Sequence, residues 1–194
     1  MLRRAALVIL ALIGLNLAPL ATVRPALAQA GSVGDTYSGN DLVAKGGEFF
    51  GSAAQGLASV VERAVSEFGL PNGYILGEEG SGAIFLGVRY GEGTLYTRNA
   101  GTMPIYWQGP SLGFDFGGDG SKVMILVYNL NTVQDVFGRF PGVDGSAYVV
   151  GGVGMTVMKV RDVVLVPIRS GVGARLGINV GYLNFTPQPT WNPF

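Results

Sequence analysis

The sequence predicts a mainly β protein: a small soluble antiparallel β-barrel with an N-terminal helix packed on or in it and one short helix between strands. Three observations carry that expectation. From Gly73 onward, short apolar runs alternate with glycine-bearing turns, as antiparallel hairpins require. The run Val123 to Leu130 is apolar on nearly both faces, which suits a strand in the middle of a sheet or inside a closed barrel, because a half-exposed strand would alternate apolar with polar residues. Glycine is the compositional outlier, at 32 of 194 residues, and it is spread through apolar segments, which points to turns, bends and bulges in a small curved sheet.

Residues 1–28 read as an export signal: Arg3 and Arg4 give the charged start, Ala5 to Leu20 the apolar segment, and Ala26-Leu27-Ala28 the small-x-small cleavage site, with Ala28-Gln29-Ala30 a second fit. Asn16, Pro19 and Arg24 interrupt the roughly 20 apolar residues that a bilayer span needs, so no transmembrane segment is expected in the mature chain. The expected address is the periplasm. Residues 29–39 are small and polar and read as a flexible leader, followed by a single domain over 40–194. Asn40 or Asp41 can cap a helix, and Ala53, Leu57, Val60, Val61, Ala64, Val65 and Phe68 fall at steps of three and four. Gly46, Gly47, Gly51 and Gly56 weaken its first half, so one bent helix or two are compatible with the pattern, and Gly69 with Pro71 ends it.

Strands are predicted over 74–77, 83–90, 93–97, 104–108, 112–116 and 122–130, with Gly91-Glu92-Gly93 as a hairpin turn. Asn131 caps a short helix over 132–137, 138–145 is a loop, and two more strands cover 147–160 and 163–168. Val172 to Tyr182 is the clearest period-two run, apolar on one face and glycine-lined through Gly173, Gly177 and Gly181 on the other. The three prolines of the tail keep 186–194 from pairing as a strand.

Composition removes several functions. Without Arg3, Arg4 and Arg24, ten basic residues face thirteen acidic ones, a formal net charge of −3, which argues against a nucleic-acid partner or a basic membrane-binding patch. The absence of cysteine leaves no disulfide framework for an exported chain, so burial must hold the fold. The absence of histidine removes the commonest general base and the usual nitrogen ligand of zinc or copper. No cofactor and no metal site is expected; Gly117-Gly118-Asp119-Gly120 resembles part of a calcium-binding glycine repeat but stands alone.

Catalysis would have to rest on carboxylates, with Glu78, Glu79, Glu92, Asp115 and Asp119 as candidates for a glycan hydrolase that needs two carboxyl groups flanking a sugar groove. Glu78, Glu79 and Glu92 sit in predicted turns, where acids are usually solvated, and the chain is read as non-enzymatic. Tyr106, Trp107 and Gln108 form the candidate ligand-binding surface, set in a glycine-rich frame; the competing reading puts both rings in the core, where most large aromatics lie. A spanning outer-membrane barrel is disfavoured, because Pro187, Pro189 and Pro193 break the last strand and the opening helix has no place in such a barrel.

Leu70-Pro71-Asn72-Gly73-Tyr74-Ile75, Gly80-Ser81-Gly82-Ala83, Gly87-Val88-Arg89-Tyr90-Gly91-Glu92-Gly93 and Tyr106-Trp107-Gln108-Gly109-Pro110-Ser111 resemble the EipA-like family (envelope integrity protein A) of alphaproteobacterial periplasmic proteins, over about 41–185. The resemblance implies a small soluble β-barrel, a role in envelope integrity and no assigned catalytic residues. It implies a partner among envelope components, whether lipid, peptidoglycan or protein. More distantly, Pro110-Ser111-x-Gly113, the glycine pair, the strand ending in Asn129 and the short helix ending in Phe137 are similar to the lipid-binding SYLF domain, which implies a lipid or hydrophobic ligand.

Overall fold

A computed structural model describes residues 35–82, 86–112, 121–143, 145–170 and 181–190. The helical segment is two helices, α1 (Gly39–Phe50) and α2 (Leu57–Phe68), joined through a 3-10 turn at Gly51–Ala54. Gly51 and Gly56 take φ of 61° and 87°, so the chain leaves the right-handed helical region between them and re-enters in a new direction. Ser38 caps α1, in place of the expected Asn40 or Asp41: its Oγ accepts from the Asp41 N–H at 3.1 Å while the Asp41 carboxylate accepts from the Ser38 N–H at 3.3 Å, a reciprocal capping box. The fold takes hold of the chain at Tyr37, inside the stretch read as leader. Tyr37 donates its N–H to the Pro71 carbonyl, sets its ring edge-on to Tyr74 at 4.8 Å and carries the Arg98 guanidinium above it at 4.6 Å.

Among the described residues ten strands follow: β1 (Gly73–Gly82), β2 (Leu86–Thr97), β3 (Gly101–Leu112), β4 (Ser121–Tyr128), β5 (Gly138–Pro141), β6 (Tyr148–Val150), β7 (Val153–Met155), β8 (Met158–Val160), β9 (Val163–Ser170) and β10 (Tyr182–Thr186). They form one curled antiparallel sheet in the order β5-β10-β3-β2-β1-β4-β9-β7-β6, with β8 beside β9. A bridge between Gly142 and Met158 brings the chain beyond β5 against β8, so the two margins of the curl touch. The mainly β, barrel-like fold is the one the sequence predicts. The short helix between strands is a 3-10 turn at Val133–Val136, capped by Thr132 instead of Asn131.

The sequence reading misplaced several breaks. Gly91-Glu92-Gly93 is no turn but the middle of β2, in register with Glu79, Glu78 and Gly77 of β1. Glu78 and Glu79 likewise lie within β1, and the turn between β2 and β3 falls at Arg98–Ala100, held by Thr97 Oγ1, which accepts from the Ala100 N–H at 3.0 Å. The loop expected over 138–145 opens with β5, paired to β10. The single strand expected over 147–160 is three short ones, since Gly151 and Gly152 take φ of 57° and 76° and turn the chain back. Most of the glycine-faced run 172–182 lies outside the described residues, as do 113–120 with Asp115 and Asp119.

Two apolar cores result, one on each side of the sheet. On the outer face Leu42, Phe50, Leu57, Val60, Val61 and Ala64 of the helices meet Met124, Leu126, Tyr128, Val164, Val166 and Ile168. Inside the curl Ile75, Leu95, Ile105, Val123, Ile125, Val127, Leu165, Leu183 and Phe185 pack on one another, with Trp107 among them. Strand β4 is apolar on both faces because it belongs to both cores, flanked by β1 and β9.

Candidate functional site

Period-two alternation decides which residues the strands send inward. In β1 the inward positions run Ile75, Gly77, Glu79; in β2 they run Leu95, Gly93, Gly91, Arg89; in β9, Leu165, Pro167, Arg169. Three strands that are apolar at one end of the curl therefore deliver one acid and two guanidiniums to the other. Trp107, from β3, lies over the bare strip between them. A Cβ at Gly77 would meet Trp107 Cη2 at 2.7 Å, and one at Gly91 would overlap the indole outright. These glycines are needed for close approach, with the strand itself extended.

The Glu79 carboxylate is the hub. Arg169 holds it with both ends of its fork, Nε to Oε1 at 2.5 Å and Nη2 to Oε2 at 3.3 Å. The Trp107 indole N–H donates to Oε2 at 3.2 Å, and Arg89 Nε stands 3.6 Å from Oε1. The side chains of Glu79, Arg89 and Arg169 are 6%, 8% and 12% exposed. Burial alone would push the Glu79 carboxyl up, but Arg169 and then Arg89, with the hydrogen bonds from Arg169 and Trp107, outweigh it and hold the group below the usual carboxylate range. Glu79 is thus an acceptor with both oxygens occupied, and at neutral pH it has no proton to donate.

Above this cluster opens a cleft of about 90 Å³. Arg89 and Arg169 line it, together with Pro110, Val143, Val157, Met158, Leu183 and the backbone of Gly181. Ala147, exposed, stands on its rim.

The predicted surface residues divide between the two faces. Trp107 is fully buried as the partner of Glu79, and Gln108 is buried on the opposite side of β3, its amide nitrogen without a hydrogen-bond partner among the described residues. Tyr106 is half-buried on the outer face, where Gly77, Glu78, Glu92, Gly93 and Thr94 complete an open depression of about 300 Å³. Glu78 and Glu92 are direct cross-strand partners there, and Glu92 faces Tyr106 across β2 and β3. Lys122 stands opposite Glu78 on the β4 side, while its ammonium donates to the Phe49 carbonyl at 2.6 Å. No three acidic residues among those described are close enough together to hold a metal ion.

Sequence reasoning weighed Glu79 as a candidate catalytic acid and set it in a predicted turn, and it gave Arg89, quoted only within a family-like motif, and Arg169 no role. The signal was present in phase: each charged residue continues an inward apolar series of its own strand, a position where a charge is rare unless it is paired.

The model of the family described as envelope integrity protein A matches residues 35–194. Among solved structures, the crystal structure of a beta-barrel-like, uncharacterized protein from Brucella abortus is 61% identical, covers 82% of this chain and 99% of its own, and superposes with a TM-score of 0.76. No curated protein matches the chain. Among the described residues no helix is long and apolar enough to cross a membrane. With the family match spanning every described strand and both helices, the chain belongs to the envelope integrity protein A family.

Proposed function

We propose that the chain is a non-enzymatic module of the periplasm, made by cleavage of residues 1–28, which supports envelope integrity by binding an envelope component. The family match supplies the envelope role. The observation that carries the non-enzymatic reading is the state of Glu79: the one enclosed acid among the described residues is ionised, gripped by two guanidiniums and an indole, and so has neither a proton to give nor a free oxygen to attack with. Glu78 and Glu92 form the alternative pair, but they stand exposed on an open face, where water competes for any proton transfer. A lipid or other partly apolar ligand is favoured among binding modes by the aliphatic walls of the cleft, Val143, Val157, Met158 and Leu183.

Purified mature protein should release no soluble fragments from peptidoglycan. Release that Glu92→Gln, Glu78→Gln or Asp115→Asn abolished would overturn the non-enzymatic reading. The address is checked separately by mass spectrometry of the osmotic-shock fraction, where the chain should begin near Gln29; an intact Met1 in the membrane fraction would refute it.

A further inference from the structure

We propose that the open outer face of β1, β2 and β3 binds a peptide through a side-chain ammonium, of the lysine or diamino acid kind, seated between Glu78, Glu92 and Tyr106. This surface lies on the opposite side of the sheet from the cleft over Arg89 and Arg169, and the inference rests on nothing that the cleft holds.

The helices pack chiefly over β4, β7 and β9, and they leave the depression of about 300 Å³ beside Tyr106 open, with Glu78 and Glu92 exposed at it. Glu78 and Glu92 are direct cross-strand partners, a pairing that sets the two Cβ atoms about 5 Å apart. Like charges so placed repel and destabilise a sheet. Among the described residues neither carboxylate has a hydrogen bond or an ion pair to offset that repulsion. Lys122 stands opposite Glu78 on β4, but its ammonium donates to the Phe49 carbonyl at 2.6 Å and lies over the Phe49 ring at 5.2 Å. An ammonium entering between the two acids turns one repulsion into two attractions, and its three N–H donors suffice for both. Tyr106, opposite Glu92 on β3, adds a ring that has no ring partner among the described residues, and a cation is attracted to such a face. The next outward row holds Leu76, Thr94 and Pro104, cross-strand neighbours about 7 Å along the strands from the acids and Tyr106. An aliphatic stem laid on Leu76 and Pro104 carries its ammonium to the carboxylates, as lysine stems lie along apolar surface with the charge at the end. A peptide is favoured over a lipid head, because the large hydrophobic side chains exposed among the described residues, Leu70, Val143, Tyr148 and Val149, all lie off these rows and leave acyl chains nothing to rest on.

The test is an NMR titration of the isotope-labelled mature chain with the end-blocked tripeptide Ala-Lys-Ala and with its Nε-acetylated form, which keeps the stem and loses the charge. The lysine peptide should bind saturably, shifting the amides of Glu78, Glu92 and Tyr106 and leaving those of Val143 and Val157 at the cleft in place. The acetylated peptide should not saturate. Glu78→Gln and Glu92→Gln should each weaken binding several-fold, as expected for one exposed ion pair, and together by roughly tenfold. Tyr106→Leu should weaken it by about two- to fivefold, through loss of the cation–π contact. Both acids are exposed, so either glutamine variant should fold, with a urea midpoint equal to that of the wild type or above it because the like-charge pair is gone. Glu62→Gln, exposed on α2, changes the net charge equally and should have no effect. Absence of saturable binding of the lysine peptide at tens of millimolar overturns the proposal. So does equal binding of the acetylated peptide, or full-strength binding of the lysine peptide to the variant lacking both acids. Phosphatidylethanolamine vesicles carry the same primary ammonium on a lipid; co-sedimentation with them in place of peptide binding would also overturn the proposal. None of these results bears on peptidoglycan release, which tests the non-enzymatic reading by itself.

Discussion

The two faces of the sheet are closed by different means, and their chemistry differs accordingly. The outer face is covered by separate elements, α1 and α2, and where they lie it is apolar from Tyr74 through Met124, Leu126, Val164 and Ile168. Among the described residues the inner face is covered chiefly by the sheet folding back on itself, with Leu130 and Val136 beside it. Along each inner row the residues pass from aliphatic (Ile75, Leu95, Leu165) through glycine, with Gly77 and Gly91 against the Trp107 indole, or through Pro167 in β9, to charge (Glu79, Arg89, Arg169). A helix can exclude water along its whole length, whereas a curled sheet ends in a mouth that water reaches. At that mouth a paired carboxylate and guanidinium can be accommodated, and further in they could not be without a larger desolvation cost.

The largest expected effect removes the hub of the inner face. Glu79→Gln keeps the shape of the side chain but leaves two poorly exposed guanidiniums facing a neutral amide, which should cost about 3–5 kcal/mol, the range for breaking a buried ion pair. The pH dependence follows from the direction of the shift. The folded carboxyl is held below its unfolded value of about 4.3, so the stabilisation is complete above that pH and is lost as pH falls through the folded value, where the unfolded state binds the extra proton. Urea midpoints measured from pH 7 downward should show the gap between wild type and Glu79→Gln narrowing only in the acid range. A constant gap would mean that the side chain's shape, and not its charge, matters to the inner face.

A smaller effect tests the glycine strip beneath the indole. Gly91→Ala places a methyl group inside the Trp107 ring position, and the indole cannot retreat without breaking its bond to Glu79. The expected cost is about 1–3 kcal/mol by overpacking. Trp107 fluorescence should shift with it, since the ring must move. An unchanged midpoint and spectrum would show that the inner face is looser than its glycines suggest.

These residues also show where the sequence could be read and where it could not. The position of β4 was legible because apolar residues on both faces have only one explanation, burial on both sides. The amphipathic helices were legible by their three-and-four spacing, and the breaks at Gly51, Gly56 and Gly69 fall where glycines stand. Gly91 and Gly93 misled because a glycine pair flanking a polar residue is the pattern of a hairpin turn, and only the distant Trp107 explains them otherwise. Taking them for a turn put Glu78, Glu79 and Glu92 into solvent and concealed the cluster. Arg89 and Arg169 are 80 residues apart in the chain and meet only across four strands, a proximity that needs the sheet order and that no local spacing contains.

Two adjacent glycines in α1 give the finest test of how closely the outer face is packed. Gly46 is buried toward the sheet, and a Cβ there would lie 2.6 Å from Leu57 Cδ2 and 3.0 Å from Met124 Sδ; at Gly47 a Cβ would meet nothing within 4 Å. Neither residue takes a positive φ, so alanine can adopt both backbones. Gly47→Ala should therefore stabilise the fold by about 0.5–1 kcal/mol, chiefly by restricting the unfolded chain and improving helix propensity. Gly46→Ala gains the same propensity but must displace Leu57 or Met124, and the flexible ends of those side chains can yield only part of the overlap, so its net effect should be destabilising. The observable is a pair of thermal midpoints moving in opposite directions for the same substitution at neighbouring positions. If both rose, the helices would rest on the sheet loosely enough to absorb a methyl group, and the outer face would lose the close packing that distinguishes it from the mouth of the inner one.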